Sequence, residues 1–558
     1  MNSLAPANPS NPLPTATSAD VALLLEGTYP FVQGGVSSWV HNLILGFPEI
    51  RFAAVFLGSK PADYQGIRYS LPKNLVHLEV HYLQNDRERK PTAPSKGDPE
   101  VFRDVKAMHD AFLHHPSVMG GMGGTETPGG AHGHGGAHGH ESGHEGPAGR
   151  GHGGGPHSGG DAFSKAVGHL IHGRLKEEHF LDSRESWEMI TAYYRERSTD
   201  PSFLDYFWTV RSMHEPVWTL ARIARGLIPV RCYHSASTGY AGFLGSLLSR
   251  VREKPFILSE HGLYTKERKI DLLHSSWIPD AGRPAAGGAP EGNYIRQLWI
   301  RFFEVLGRTA YDSADPIVSL YEGIRRQQVE TGAREERTLC VPNGIKLDRF
   351  GPLRNMQSIP PKPVFALIGR IVPIKDVKTY IRAMRTVCQR IPGAEGWLVG
   401  PGEEDSRYFD ECKALAEALG LKDSVRFLGF QDVAKILPQV GVLILSSISE
   451  ALPLTLLEGF AAGVPAVATD VGSCRQLIEG RQGDEADLAI GAAGRVVDIA
   501  DSTSLAEAII GLFTDQEEWT SARTAALARV DRFYSERRML DSYAAIYQKA
   551  LGAVGDQG

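Results

Sequence analysis

The sequence predicts an α/β protein built from two doubly wound parallel-sheet domains that face each other across a cleft. Three observations predict it. Short apolar runs such as "VALLLEG" and "RFAAVFLG" alternate with stretches of helical periodicity, the pattern of parallel strands covered on both faces. The alternation restarts after residue 363 and repeats six times within about 150 residues, which describes a second doubly wound unit. The chain has 558 residues, 42% of them hydrophobic and 22% charged, enough for at least two separate cores.

The elements follow in order. Residues 1–19 are rich in Pro, Ser and Asn and read as a disordered tail, without the basic and apolar regions of a signal peptide. The first domain covers 20–350 and opens with the strand "VALLLEG", an amphipathic helix from Gly35 to about Gly46, and "RFAAVFLG". An insertion at about 120–160 holds 19 glycines and seven histidines. It cannot bury enough apolar surface to offset its ordering entropy and reads as disordered. Its histidines encode no fixed ligand geometry, so a solvated loop and an opportunistic store of Ni²⁺, Zn²⁺ or Cu²⁺ both stay open. Residues 161–227 read as mainly helical. Alternation then resumes with "VRCYHS", a helix start at "STGYAGFLGSLL", "KPFILSEHG", a Gly/Pro-rich loop near 281–292, a helix near 294–312, "PIVSL" and "TLCVPNG".

Residues 351–363, with "PLRNMQSIPPKP", read as an interdomain linker. The second domain, 364–530, carries "PVFALIG", "EGWLVG", "VRFLGF", "GVLILS", "PAVAT" and "GRVVDI", each followed by a helix. The final segment, 531–558, contains a helix with apolar and aromatic residues at helical spacing. It is expected to cross back and pack on the first domain.

Bulk chemistry excludes several classes. A net charge of −6 and the absence of a long Lys/Arg block argue against nucleic acid as a partner. The five cysteines are scattered and form no Cys-x-x-Cys pair, which fits a reducing, cytoplasmic compartment. No apolar stretch reaches the roughly 20 residues of a membrane span, so membrane association would have to come through partners. There is no P-loop, no H-E-x-x-H, no G-x-S-x-G and no D-x-D metal site.

Ligands of doubly wound sheets bind beyond the carboxyl ends of strands, and the polar clusters fall there. Gly34 and Gly35 follow the first strand and serve either a turn or a ligand lying against bare backbone. "IGRIVPIKD" sets Arg370 and Lys375 after a strand, beside a helix start. That is either a diphosphate site or a solvated basic turn. "SSISEALPLTLLEG" sets Glu450 and Glu458 eight residues apart, with Pro453 in a first helical turn that leaves the amides near Leu454 and Thr455 open to an anion. A carboxylate accepts two hydrogen bonds from a sugar diol; the bland alternative is a surface loop and an ion pair. "LSEHG" places Glu260 and His261 at a strand end, where a histidine contacts a substrate hydroxyl, carries a proton or is simply structural. Lys266 and Arg268 follow as a second anion contact or a polar helix start, and "CYHSASTG" adds His234 and Ser237 with less specificity. In "VPNG", Asn343-Gly344 reads as a turn with positive φ.

Taken together, G-R-x-x-x-x-K (Arg370, Lys375), E-x7-E (Glu450, Glu458) and "PNG" resemble the retaining glycosyltransferases of family 4, over roughly residues 310 to 515. "ALLLEGTYPFVQGGVSSWVHNLI" with "SEHGLYTKERKIDLL" further resembles the cytosolic glycosyltransferases of bacterial Pel exopolysaccharide synthesis, over nearly the whole chain. The resemblance implies a GT-B fold with a UDP-sugar donor between the domains, a hexose transferred with retention to a growing polysaccharide, and no metal or other cofactor. It implies that Arg370 and Lys375 hold the donor diphosphate and that Glu458 binds the ribose. It further implies that Glu450 and the backbone after it face the sugar, that Gly34 and Gly35 lie against the phosphates, and that His261 sits near the transferred sugar. Protein partners in an inner-membrane synthase complex are implied too, with recruitment to that membrane. Where many family members read E-G-F-G, this chain has Glu450-Ala451-Leu452-Pro453, so the sugar contacts of that loop differ. A non-catalytic nucleotide-sugar-binding assembly subunit, and a sugar-nucleotide epimerase or phosphorylase of the same fold, are the competing readings.

Overall fold

The computed structural model describes residues 13–84, 95–114, 158–198, 201–275, 278 and 294–552. Two parallel sheets carry the chain. The first holds β1 (Val21–Glu26), β2 (Phe52–Gly58), β3 (Leu75–Tyr82), β4 (Cys232–Ser235), β5 (Phe256–Glu260), β6 (Ile317–Ser319) and β7 (Thr338–Cys340), in spatial order 3-2-1-4-5-6-7. The second holds β8 (Val364–Ile368), β9 (Glu395–Val399), β10 (Val425–Gly429), β11 (Val442–Leu445), β12 (Ala466–Thr469) and β13 (Gly494–Val497). Their order is 10-9-8-11-12-13. Every recorded pairing is parallel. Each sheet therefore reverses its winding once, between β1 and β4 and between β8 and β11, and such a switch point opens a crevice at the strand ends.

The strand sequences explain their places. β2, "FAAVFLG", lies inside the sheet and is buried at every position, whereas the edge strand β3, "LVHLEVHY", alternates and is only half covered. In β8, Val364 and Ala366 enter one core while Phe365 and Leu367 enter the other, the period of two that places alternate side chains on opposite faces.

The helices that lie between β1 and β7 in the chain are α1 (Gly35–Gly46), then α2 (Pro99–His114), α3 (Ser158–Ile171), α4 (Glu177–Asp182), α5 (Arg184–Arg197), α6 (Phe203–Gly226), α7 (Tyr240–Arg252), α8 (Tyr264–His274), α9 (Tyr294–Ser313) and α10 (Glu322–Glu330). Those that follow β7 are α11 (Leu347–Phe350), α12 (Val377–Arg390), α13 (Ser406–Ala418), α14 (Val433–Ile436), α15 (Leu454–Ala462), α16 (Cys474–Glu479), α17 (Glu485–Leu488), α18 (Ser502–Thr514) and α19 (Gln516–Phe533). The closing helix α20 (Glu536–Gly552) puts Met539, Tyr543, Ile546 and Tyr547 into the core shared by β1, β2 and α1. It thus crosses back to the first sheet.

Several boundaries differ from the sequence expectation. The described residues within 83–227 and 268–308 form a compact helical unit of their own. Its helices bury Val101, Phe102, Leu170, Ile190, Tyr206 and Trp218 on one another. The expected disordered insertion lies mostly outside the described residues, but its last three residues already belong to α3. Of the expected tail, residues 13–19 are docked: Leu13 packs on the first core, Leu78 N donates to Pro14 O at 2.9 Å, and Ala19 is buried. The start of the Pro-rich linker is docked too. Leu353 is buried, and the Arg354 guanidinium bonds Asp531 and the Ala461 carbonyl.

Candidate functional site

The second sheet concentrates charge at its switch point. β8 runs into Gly369-Arg370 and a 3₁₀ turn, Pro373–Lys375; β11 runs into the loop that carries Glu450. These two loops interlock. Lys375 Nζ donates to Glu450 Oε1 at 2.5 Å, Ser447 Oγ to the same oxygen at 2.6 Å, Ser446 Oγ to Lys375 O at 2.9 Å, and Ile448 N to Ile374 O at 2.9 Å. The Lys375–Glu450 pair is largely shielded, at 22% and 12% side-chain exposure. Arg370 is open and bonds Glu404 with one Nη at 2.6 and 2.8 Å. At this exposure the pair is weak and exchangeable. Arg370 therefore rests on an exposed, weakly held carboxylate, whereas Lys375 is held in a shielded pair with Glu450.

Behind them stands the N-terminus of α15. Pro453 is its N-cap, one residue earlier than the first-turn position expected; no side chain caps the helix and its first turn holds no acid. The amides at Leu454 and Thr455 stay available, and nine residues of aligned dipoles favour an anion there. Gly472, at φ +57°, fixes the Glu450 loop from behind: a Cβ there would run into the Glu450 carbonyl, and Ser473 N donates to Ala451 O at 2.9 Å. Glu458 lies one turn into α15. Among the described residues nothing hydrogen-bonds or ion-pairs its carboxyl, and burial pushes it up to about 7, with Arg349 pulling it down and Asp432 adding to the rise.

At the first sheet's switch point, β1 leads into α1. Gly34 is extended (φ 170°, ψ 178°), and a Cβ on Gly34 or Gly35 would meet nothing within 4 Å. The turn itself does not require either glycine. α1 has no side-chain cap and no acid in its first turn, so its amides also face outward. The neighbouring helix α7 is different. Glu26, at the end of β1, accepts from Ala241 N at 3.3 Å and from Tyr264 Oη at 2.7 Å. It thereby neutralises that N-terminus from within. Glu26 escaped the sequence reading because its partners lie more than 200 residues away.

His261 follows β5 with its ring 4.3 Å from that of Trp39, and burial pushes its pKa down to about 3, so the imidazole is neutral. Glu260 does not face a ligand as expected. Fully buried, it accepts bonds from Thr238 Oγ1, Tyr264 N, Tyr311 Oη and Gln328 Nε2 and ties four elements together. His234 is likewise internal, bonded at 2.8 Å to Tyr547 Oη and Ser259 Oγ. The Arg268 guanidinium lies 5.4 Å from the Phe303 ring centroid, and its Nη1 is 3.6 Å from Asp271 Oδ2. Lys266 is half-buried. Asn343 is buried with Oδ1 lacking a hydrogen-bond partner. Gly344 is required not by a positive φ, as expected, but by close approach: a Cβ would strike the Ser535 backbone, beside the Ile345–Ser535 bridge.

The structure thus joins Lys375 to Glu450 across the adjacent strands β8 and β11, with Arg370 in the loop after β8 and Leu454, Thr455 and Glu458 in the helix α15 that follows β11. Gly34, Gly35 and His261 lie at the strand ends of the first sheet. Among the described residues no cluster of His, Cys, Asp or Glu is arranged to hold a metal, and no helix is long and apolar enough to cross a membrane.

Known proteins match in parts. A family model described as a domain of unknown function (DUF3492) matches residues 19–122 and 152–336, and one described as glycosyl transferases group 1 matches 353–529. A D-inositol 3-phosphate glycosyltransferase of Actinosynnema mirum is 33% identical over 173 residues, 28% of this chain and 39% of its own length. One from Nocardia farcinica is 26% identical over 323 residues, 54% of this chain and 68% of its own. The chain thus spans about two fifths of the first relative and two thirds of the second. The sucrose-phosphate synthase of Thermosynechococcus elongatus shares the fold, with a TM-score of 0.52 at 14% identity over 96% of this chain and all of its own.

Proposed function

We propose that this chain, which belongs to the DUF3492 family and carries a group 1 glycosyl transferase region, is a retaining glycosyltransferase. It moves a hexose from a UDP-sugar to a growing polysaccharide in Pel-type exopolysaccharide synthesis. The observation that carries the reading is the crevice of the second sheet, where an exposed Arg370 and a Lys375 paired with Glu450 adjoin an uncapped helix N-terminus. That set suits a diphosphate and little else of comparable size.

The chemistry follows from charge. As the glycosidic bond breaks, the diphosphate leaving group gains negative charge. Arg370, Lys375 and the α15 amides stabilise it more in the transition state than in the ground state, which is what lowers the barrier. Donor binding draws Arg370 from Glu404 and Lys375 from Glu450, leaving Glu450 and its loop beside the sugar. Glu458, whose carboxyl has no hydrogen-bond or ion-pair partner among the described residues, accepts hydrogen bonds from the ribose diol. A departing phosphate oxygen takes the acceptor proton on the face it vacates, which gives retention without a protein nucleophile or base. In this reading the cations perform the charge neutralisation that a metal performs elsewhere. Gly34 and Gly35 form a bare-backbone wall at the uncapped end of α1, and His261 contacts the sugar. Asn343 and Lys266 belong to the same substrate surface. The protein acts in the cytoplasm and reaches the inner membrane through protein partners.

The test is incubation with UDP-, GDP- and ADP-sugars, reading nucleotide release with and without a glycan acceptor. Release from a UDP-hexose supports the proposal; binding without release under all conditions assigns the crevice to a nucleotide-sugar-binding subunit instead.

A further inference from the structure

Ser446 and Ser447 follow β11 directly, both 1% exposed, and their hydroxyls divide between the two loops of the second sheet's switch point. Ser446 Oγ donates to the backbone of the Lys375 loop, 2.9 Å from Lys375 O and 3.1 Å from Asp376 O. It fixes that loop by its main chain and leaves the Lys375 ammonium to move on its own stem. Ser447 Oγ donates to Glu450 Oε1 at 2.6 Å, and the Ser447 carbonyl accepts from Thr469 Oγ1, at the end of β12, at 2.7 Å. The hydroxyl that reaches Glu450 is thus carried on backbone tied to a neighbouring strand.

Both donors on Glu450 meet the same oxygen. Lys375 Nζ is 2.5 Å and Ser447 Oγ 2.6 Å from Oε1, while no described residue bonds Oε2. The side chain keeps 12% exposure, and Oε2 is not enclosed. An ionised carboxylate oxygen accepts about two hydrogen bonds, so Oε1 is filled and Oε2 is open. The two donors differ in permanence. A diphosphate claims the Lys375 ammonium, whereas a neutral, buried hydroxyl stays where its backbone holds it. With neither donor in place, the last torsion of a Glu side chain has broad wells and the carboxylate turns.

We propose that Ser447 is a positioning residue: it holds Glu450 by Oε1 once Lys375 has turned to the diphosphate, so that Oε2 is the oxygen that accepts a hydroxyl of the donor sugar. This rests on the reading of Glu450 as a sugar contact and deepens it. The donor sugar is recognised through one carboxylate oxygen, and a serine at the end of β11 selects which.

The experiment is a cycle of dissociation constants, measured by calorimetry on the full chain without acceptor. The probes are UDP, the tighter-binding of UDP-glucose and UDP-N-acetylglucosamine, and the monodeoxyfluoro derivatives of that sugar. A C–F group cannot donate, so one derivative reports the hydroxyl that Oε2 accepts. Fluorine at that position should weaken wild-type binding about tenfold, the scale of one lost hydrogen bond. Ser447→Ala should weaken the parent UDP-sugar by a similar factor, yet leave UDP and that one derivative within about twofold of wild type, the non-additivity of two groups that share one contact. A folded Ser447→Ala protein that binds the parent UDP-sugar as tightly as wild type overturns the proposal. So do equal losses for the UDP-sugar and UDP, and equal losses for the parent and every derivative, because a merely structural role of Ser447 produces both. A wild-type protein in which fluorine weakens binding at no position overturns it whether or not the variant folds. Failure of the wild-type protein to release nucleotide from any UDP-sugar would overturn the transferase reading while leaving this binding cycle standing.

Discussion

The two sheets share the strand order 3-2-1-4-5-6 around their switch points, yet they leave opposite helix ends open. In the second sheet the helix after the first strand, α12, is capped by its own Asp376, whose carboxylate accepts from Thr379 N, while α15 after the fourth strand has no cap. In the first sheet the arrangement is reversed. α7, after the fourth strand, is neutralised by Glu26, and α1, after the first, is open. The second sheet adds the cations Arg370 and Lys375 at its open end. One topology thus supplies two strand-end crevices, and in the proposed reading the placement of a few carboxylates and cations makes one an anion clamp and the other a neutral wall.

The largest effect is expected from breaking the clamp. Arg370→Ala should slow nucleotide release from a UDP-hexose by about 10²-fold or more, as for loss of a preorganised charge contact. Steady-state turnover measures it, and wild-type turnover would remove Arg370 from the mechanism. On the other side of the comparison, Gly35→Val tests the wall. A Cβ has open space there, so the melting temperature should hold within a few degrees while KM for the donor rises about tenfold or more. Unimpaired donor use would leave the glycines as a turn.

Glu458 sharpens the contrast through pH. The diol needs the carboxylate, and the free group titrates at about 7. Donor affinity should therefore rise as pH increases through 7, and Glu458→Gln should flatten the profile. The stability sign runs the other way. A carboxyl whose folded pKa lies above its unfolded value favours the fold at acid pH and loses that contribution as pH rises through the folded value. Glu458→Gln should then be more stable than wild type at pH 8, by on the order of 1 kcal/mol, as denaturant unfolding would show. The smallest effect belongs to Glu26→Gln, which weakens the charge at the α7 N-terminus. A loss of about 0.3–1 kcal/mol is expected in the same assay.

Much of this was legible in the sequence because strands buried on both faces read as uninterrupted apolar runs, and the runs at β1, β2, β8, β9, β11 and β12 coincide with them. The charged motifs were legible for the same reason: each follows such a run. What was not legible is long-range. Lys375 and Glu450 are 75 positions apart, and only the adjacency of β8 and β11 makes them a pair. Glu260 read as a site residue by its place at a strand end. Its donors Thr238, Tyr311 and Gln328 come from three other segments and turn it into a core anchor. Gly344 read as a turn because an Asn-Gly pair signals one locally, whereas the constraint on it is the Ser535 backbone.

The central claim is that the second sheet's crevice is the donor diphosphate clamp. Calorimetric titration of UDP into wild-type protein and into Arg370→Ala, at equal ionic strength, tests it most directly. The expected result is saturable binding by the wild type and an affinity at least about tenfold weaker in the variant, the loss of one charge-assisted contact. Equal affinities in the two proteins would contradict it.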